Sequence, residues 1–253
     1  STNSFWNLKL RKINIKSFFK ALLIFTSLVP FYGETGATEN NAPTAPLKST
    51  PELSKSKITF DVYRKGEKIG FHQVVFREKG RILSVSSIFK IEIEFLFFTA
   101  FHYQYQCRSL WKDGILQNLE ATVDDDGKTS FIKVTKKEGL MHIKHSDKTY
   151  TAKPPLFPTN HWNPNVLAEK RVLNTLTGQI NEIKIEALGN ELVETEKGNI
   201  GAKHFRYTGD LETDVWYDHS NRWVKMSFKG NDGSIIEYRC THCQGPIVLD
   251  ITP

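Results

Sequence analysis

Strict alternation between apolar and polar residues constrains this chain more than any other feature. The run "ITFDVY" sets Ile58, Phe60 and Val62 on one face. "FKIEIEF" opposes Phe89, Ile91, Ile93 and Phe95 to Lys90, Glu92 and Glu94, and "FHYQYQC" opposes Phe101, Tyr103, Tyr105 and Cys107 to His102, Gln104 and Gln106. Successive side chains of a strand point to opposite faces, so each run reads as a strand with one buried face and one wet face. Turn signals separate the runs: Lys65-Gly66, Lys79-Gly80, Asp113-Gly114, Asp126-Gly127, Glu138-Gly139, Gly189-Asn190, Gly198-Asn199 and Asp232-Gly233. Residues that tolerate positive φ between alternating segments mark hairpins. The spacing implies an antiparallel meander of about a dozen strands, because parallel pairing would need a helix in every crossover.

Only one helix is predicted. In "NPNVLAEKRVLNTLTG", Asn163 is placed as an N-cap, Pro164 as the first helical residue and Gly178 as the stop. Val166, Leu167, Val172, Leu173 and Leu176 fall mostly on one side, which predicts an amphipathic helix over about 164–177. The expected fold is therefore all-β: an antiparallel meander curling into a half-barrel or barrel, with that helix packed across it.

The beginning of the chain reads differently. Lys9, Arg11, Lys12, Lys16 and Lys20 precede the uncharged stretch Ala21 to Gly33, and Thr35-Gly36-Ala37 offers small residues for cleavage. That order is the layout of a secretory signal peptide over residues 1–37, and the apolar run is too short for a membrane span. Residues 38–57 are rich in Pro, Ser, Thr and Asn and predict a flexible linker. Residues 58–253 remain as a single β domain. The leader holds five of the 34 Lys and Arg and one of the 28 Asp and Glu, so the rest balances 29 bases against 27 acids, a net +2. With no basic stripe left, nucleic acid is excluded as a partner. No stable membrane span is expected after cleavage, and the expected location is the periplasm or the exterior.

"FDVYRKGEKIGFH" (Phe60 to His72), "NHWNPNVL" (Asn160 to Leu167) and "DVWYD…RWVKMSFKGNDGSIIEY" (Asp214 to Tyr238) occur in that order. Together they resemble a family of exported bacterial proteins catalogued only as a domain of unknown function. The likeness spans most of residues 58–239 and implies an antiparallel β domain acting outside the cytoplasm. It brings no catalytic residues, and "CTHCQGPIVLDITP" extends beyond it.

Four features could carry chemistry. The pair Cys240-Thr-His-Cys243 lacks the following His that haem attachment needs, since Gln244 stands there. Zinc would need four N or S ligands, and Cys107 is the only other thiol. A thioredoxin-like couple would start a helix, whereas this pair follows the strand "SIIEYRC". In an oxidising compartment the expected role is a disulfide, Cys240 with Cys243 or, alternatively, Cys107 with Cys240. Asp124-Asp125-Asp126-Gly127 lacks the ligand spacing of a calcium loop, with Lys133 where the terminal Glu belongs, and reads as a turn.

The segment Phe95 to Phe101 breaks the alternation: Phe95, Phe97, Phe98 and Phe101 are all apolar. It is either a bulge or corner buried on both faces, or an exposed edge or ligand-lining wall. His161 and Trp162 sit in a loop stiffened by Pro154, Pro155 and Pro158, which either lines a pocket mouth or plugs the core. No nucleophile elbow, phosphate loop or His-Glu-x-x-His occurs. No cofactor and no metal are expected. The expectation is a non-enzymatic exported β protein that binds an apolar small molecule or an envelope protein through Phe95, Phe97, Phe98, Phe101, His161 and Trp162. The alternatives are a hydrolase built on His161, a thiol oxidoreductase built on Cys240 and Cys243, or a structural accessory subunit.

Overall fold

The computed structural model describes residues 54–95, 98–146, 148–230 and 232–243, with the side chains of 54–55 and 94–100 outside that description. The expected leader, most of the expected linker, Phe97 and the last ten residues lie outside the described residues.

Among the described residues, fourteen strands form one antiparallel sheet. They are β1 (Ser54–Arg64), β2 (Glu67–Lys79), β3 (Ile82–Phe95), β4 (Phe98–Lys112), β5 (Ile115–Asp125), β6 (Lys128–Lys137), β7 (Leu140–His145), β8 (Lys148–Ala152), β9 (Arg171–Leu173), β10 (Ile180–Thr195), β11 (Gly198–Gly209), β12 (Thr213–Asp218), β13 (Trp223–Lys229) and β14 (Ile235–His242). The order across the sheet is β8 to β1 in reverse, then β14 to β9 in reverse. Two meanders are thus joined where the first strand pairs with the last, Val62 opposite Tyr238 and Phe60 opposite Cys240.

The hairpins follow from their turn residues. Lys65-Gly66, Asp113-Gly114, Asp126-Gly127 and Glu138-Gly139 each occupy a two-residue connection with positive φ at both positions. That conformation matches the twist of the flanking strands and fixes the register. Asp124 accepts a hydrogen bond from the Gly127 backbone N–H at 2.9 Å, so the acidic run is a turn, as its spacing predicts. Alternation then sends Ile58, Phe60, Val62, Val74, Phe76, Ile91, Tyr103, Tyr105, Cys107, Leu119, Val123, Val134 and Met141 into one continuous core. β1 begins four residues before the expected domain boundary, because Ser54 to Lys57 pair with Val75 to Glu78 of the long β2.

The predicted helix over 164–177 is not there. Asn163 does cap a turn, its side chain accepting from Asn165 N, but the turn is a 3-10 helix over Pro164–Ala168 and no more. Arg171–Leu173 becomes β9, pairing with Ile180 to Glu182. Leu173 also donates to Phe157 O at 2.8 Å and accepts from Thr159 N at 3.0 Å. Asn174 ends the strand, its side chain accepting from Leu176 N and Thr177 N. The apolar spacing suits a helix, but backbone bonds to a distant loop outweigh a weak local preference.

Those bonds also draw the two edges of the sheet together. β8 and β9 are the ends of the order and do not pair with one another. The gap is spanned by the loop 153–163, through a parallel bridge between Pro158 and Leu173. Gly178, at φ +69°, packs so closely on β7 that a Cβ there would lie 2.6 Å from the His145 side chain. The result is an antiparallel sheet that no ladder closes, with the loop bridged to its β9 edge. Among the described residues no helix is long and apolar enough to cross a membrane.

Candidate functional site

The loop 153–163 turns into the barrel and fills it. Leu156, Phe157, Asn160, His161 and Trp162 are all buried. Trp162 packs edge-on against Phe76 at 5.4 Å and Trp111 at 5.3 Å, and Phe157 lies 5.9 Å from Trp111. His161 takes the left-handed conformation (φ 55°), which turns the chain so that its ring meets Tyr207 and Trp223. Tyr217 donates to the His161 carbonyl at 2.7 Å. Tyr105 donates to Thr175 Oγ1 at 2.9 Å and to Asn160 Oδ1 at 3.3 Å. The loop's apolar side chains are buried in the core, although the helix that a plug here was expected to seat is absent.

A second polar group sits beside it. His72 Nε2 lies 2.6 Å from Ser87 Oγ, the ring surrounded by Phe60, Phe89, Trp223 and Tyr238. A serine beside a histidine suggests a nucleophile and its base, which would need a third group to orient the imidazole. Here His72 Nδ1 is buried without a hydrogen-bond partner. Burial, reinforced by the neighbouring His161, pushes the His72 imidazole down to about 3, and burial pushes His161 down to about 4. Both rings are neutral at pH 7 and enclosed. Burial likewise pushes the Tyr103, Tyr105, Tyr207, Tyr217 and Tyr238 hydroxyls up, so the lumen holds no charge from them.

Two shallow depressions among the described residues include none of these groups in their lining. One, about 620 Å³, is lined by Ser56, Lys57, Gln73, Val75, Arg77 and His242, and the other, about 440 Å³, by Lys68, Ile69, Gly70, Phe71, Lys90 and Glu92. They run along β1, β2 and β3, where Lys57, Gln73, Val75, Arg77, Lys90 and Glu92 stand on the parity opposite to the core residues Ile58, Val74, Phe76 and Ile91.

The remaining sequence-selected residues divide. Phe101 is buried in the core. Phe95 and Phe98 pair with one another across the β3–β4 hairpin, after a register shift at Ile93 and Glu94. The apolar segment is thus a hairpin end, joined at Leu96-Phe97, which lie outside the described residues. Phe101 shares the buried core cluster with Trp162.

The outer face of β10 to β14 and β1 carries a ladder that alternation alone does not reveal. Arg239 lies over the Tyr63 ring at 4.3 Å and pairs with Glu237. Lys225 lies 3.6 Å from Glu237 and 4.7 Å from the Trp216 ring centre. Trp216 stacks on His204 at 4.1 Å and donates to Glu191 Oε2 at 2.9 Å. His204 sits between Glu191 (2.8 Å) and Asp214 (3.1 Å), and Asp214 takes a two-pronged contact from Arg206. The hydrogen bonds from Trp216 and His204 hold Glu191 below the usual carboxylate range.

The cysteines resolve the open pairing. Cys240 is bonded to Cys243, and Cys107 is a buried free thiol. Cys107 and Cys240 do share the core side, as their parity predicts. They are not neighbours, however: Cys107 on β4 faces Ser87 and Ala121, whereas Cys240 on β14 faces Phe60. Burial pushes the Cys107 thiol up. At the rim, the Cys243 backbone N–H donates to Glu196 Oε1 at 2.9 Å.

Residues 60–241 match the model of the family described as Domain of unknown function (DUF6134). No curated protein matches the chain. Five solved chains do. One is the crystal structure of a beta-barrel-like protein of domain of unknown function DUF1849 from Brucella abortus, similar at a TM-score of 0.54 and 10% identity over 77% of this chain and 98% of that one. At that identity the likeness is one of fold. The chain belongs to the DUF6134 family.

Proposed function

We propose that this chain is an exported, non-enzymatic barrel module that holds an envelope partner on its outer surface instead of a small molecule in its lumen. The loop 153–163 carries this reading: Phe157, His161 and Trp162 occupy the interior that an apolar ligand would need. Barrels that carry ligands leave room among their interior side chains, and ligand sites are concave and lined for their occupant. The hydrolase alternative loses support because His161 and the His72–Ser87 pair are enclosed and lack an orienting carboxylate. The oxidoreductase alternative loses support because Cys240 belongs to a strand and Cys243 follows its end, and among the described residues no helix adjoins the pair.

The exposed edge of β10 supports an outer contact. β10 pairs with β11 from Ile183 to Thr195, but with β9 only from Ile180 to Glu182. Beyond Glu182 its other edge has no strand partner among the described residues. Leu188 and Leu192 along this stretch are 42% and 75% exposed. An extended segment adds to such an edge through main-chain hydrogen bonds, with side chains giving selectivity. Glu186, Glu191 and Glu194 against Lys184 make the strand acidic, so a basic partner segment fits best.

A photo-crosslinking side chain placed at Leu192 in the native cell should give one discrete adduct, and the same group at Phe131 should give none. Equal adducts at both positions, or none at either, would remove the partner reading. Saturable one-to-one binding of apolar probes with quenching of tryptophan fluorescence would restore the lumenal ligand. Recovery of the chain in the cytoplasm with its leader intact would refute export.

A further inference from the structure

The rim at the end of β14 brings together three ligand-type groups that neither the plugged lumen nor the outer ladder uses. Cys240 and Cys243 are both buried, with Cα atoms 5.7 Å apart. Glu196 reaches them from the turn between β10 and β11. One carboxylate oxygen of Glu196 and the two sulfurs lie within 4.8 Å of one another. The hydrogen bond from Cys243 N to Glu196 Oε1 holds the carboxylate in place. The sequence alone shows a pair of cysteines with too few ligands, and the fold supplies the third.

Reduction of the disulfide would leave two thiols beside a fixed carboxylate. If both thiols ionised, three like charges would crowd one rim, which a cation relieves. Two thiolates and a carboxylate suit a borderline-soft d10 ion, and three protein ligands plus water complete a tetrahedral site. With metal–sulfur distances of about 2.3 Å, a tetrahedral ion holds its sulfurs roughly 3.8 Å apart. Side chains on Cα atoms 5.7 Å apart reach that separation by rotation about χ1.

We propose that Cys240, Cys243 and Glu196 form a redox-gated site for a thiophilic divalent cation of the zinc type. A dithiol reductant supplies two electrons and two protons: its own thiols become a disulfide, the Cys240–Cys243 bond breaks, and each sulfur gains a proton. The cation then displaces those two protons to solvent, binds both sulfurs, and takes its third bond from Glu196 and its fourth from water. An oxidising disulfide reverses the exchange, re-forming the Cys240–Cys243 bond and releasing the cation.

The test uses the full chain carrying Cys107→Ala, so that only the rim thiols remain, with Cd2+ as a spectroscopic probe. Reduced protein should bind one Cd2+ per chain with a thiolate-to-metal charge-transfer band, and oxidised protein should show none. Cys243→Ser should abolish the band. Glu196→Gln, an exposed change that leaves the fold alone, should weaken binding by at least about tenfold. Absence of the band in reduced, folded protein would overturn the site. So would unchanged affinity in Glu196→Gln, or equal affinity in a synthetic peptide spanning Tyr238 to Pro246, since either would show that the fold contributes nothing.

Discussion

Two sets of buried histidines lie on opposite faces of one sheet. His72 and His161 face the lumen, 7% and 8% exposed, among Phe60, Phe89, Tyr207, Trp223 and Tyr238. His204 faces outward, 6% exposed, stacked on Trp216 with a carboxylate at each ring nitrogen. Burial is the same; the company differs. Aromatic walls penalise a charge and offer nothing in exchange, and both lumenal imidazoles are pushed down. The lumen is therefore built as a neutral plugged core, and the outer face as a network of charges. The contrast argues that polar residues inside this barrel serve packing, which is the ground on which a contact on the outer face is proposed.

The sharpest way to break the contrast is to empty the lumen. Trp223 is fully buried and touches Phe60, His72, His161 and Tyr238. Trp223→Ala should cost about 3–5 kcal/mol, the range for removing a large core aromatic. Urea unfolding should show a lower midpoint with an unchanged slope. A loss below about 1 kcal/mol would mean that the interior is not packed around this ring.

Acid should separate the two faces next. His72 and His161 titrate at about 3 and about 4 in the folded chain, against about 6.5 when unfolded. The unfolded chain therefore takes up protons first as pH falls. Their contribution to stability is whole above about 6.5 and is lost toward their folded values, at about 1.4 kcal/mol per pH unit for each ring. At pH 5 that is on the order of 2 kcal/mol per ring. The carboxylates of the outer ladder titrate below this window in the unfolded chain, so removing each lumenal ring in turn isolates its own share of the decline between about 6.5 and 5. His72→Phe should lessen the decline measured between pH 7 and pH 5 by on the order of 2 kcal/mol, and His161→Asn, which tolerates the left-handed backbone, by a similar amount. An unaltered decline in both variants would show that these rings are not held neutral.

How much of this was legible beforehand depends on what each residue's role rests on. Hairpins and core faces rest on local chemistry, so alternation and the Lys-Gly, Asp-Gly and Glu-Gly pairs found them. The same parity could have placed His72 inside, since it falls between Phe60-facing strand positions in step with Val74 and Phe76. The segment 164–177 misled because Val172 and Leu173 satisfy helical spacing, while their fate is set by backbone bonds to Phe157 and Thr159. Glu191 and Glu196 carried no signal at all. Each matters through partners on other strands, Trp216 and His204 for one and Cys243 for the other, which only the folded register brings near.

The outer network should respond less than the lumen. Trp216→Phe keeps most of the stacking surface and deletes the N–H that Glu191 accepts at 2.9 Å. A loss of about 1 kcal/mol is expected, the usual size for one hydrogen bond. Glu191→Ala, which removes the acceptor, should lose at least as much and should couple with Trp216→Phe in a double-mutant cycle, because both changes break one contact. Strict additivity would mean that the pair contributes nothing jointly.

The smallest effect is expected where the ladder meets solvent. The Arg239 side chain is 47% exposed, over Tyr63 and beside Glu237. Exposed ion pairs and exposed cation–π contacts each contribute at most about 1 kcal/mol, and ordering a long side chain offsets part of that. Arg239→Ala should therefore cost about 0.5 kcal/mol, and raising the salt concentration should shrink the difference from the parent protein. Salt should leave the Trp223→Ala deficit largely unchanged, since no charge is lost there. A salt-independent deficit above about 2 kcal/mol at Arg239 would place it in the packed structure, and the division between neutral interior and charged exterior would fail at that strand.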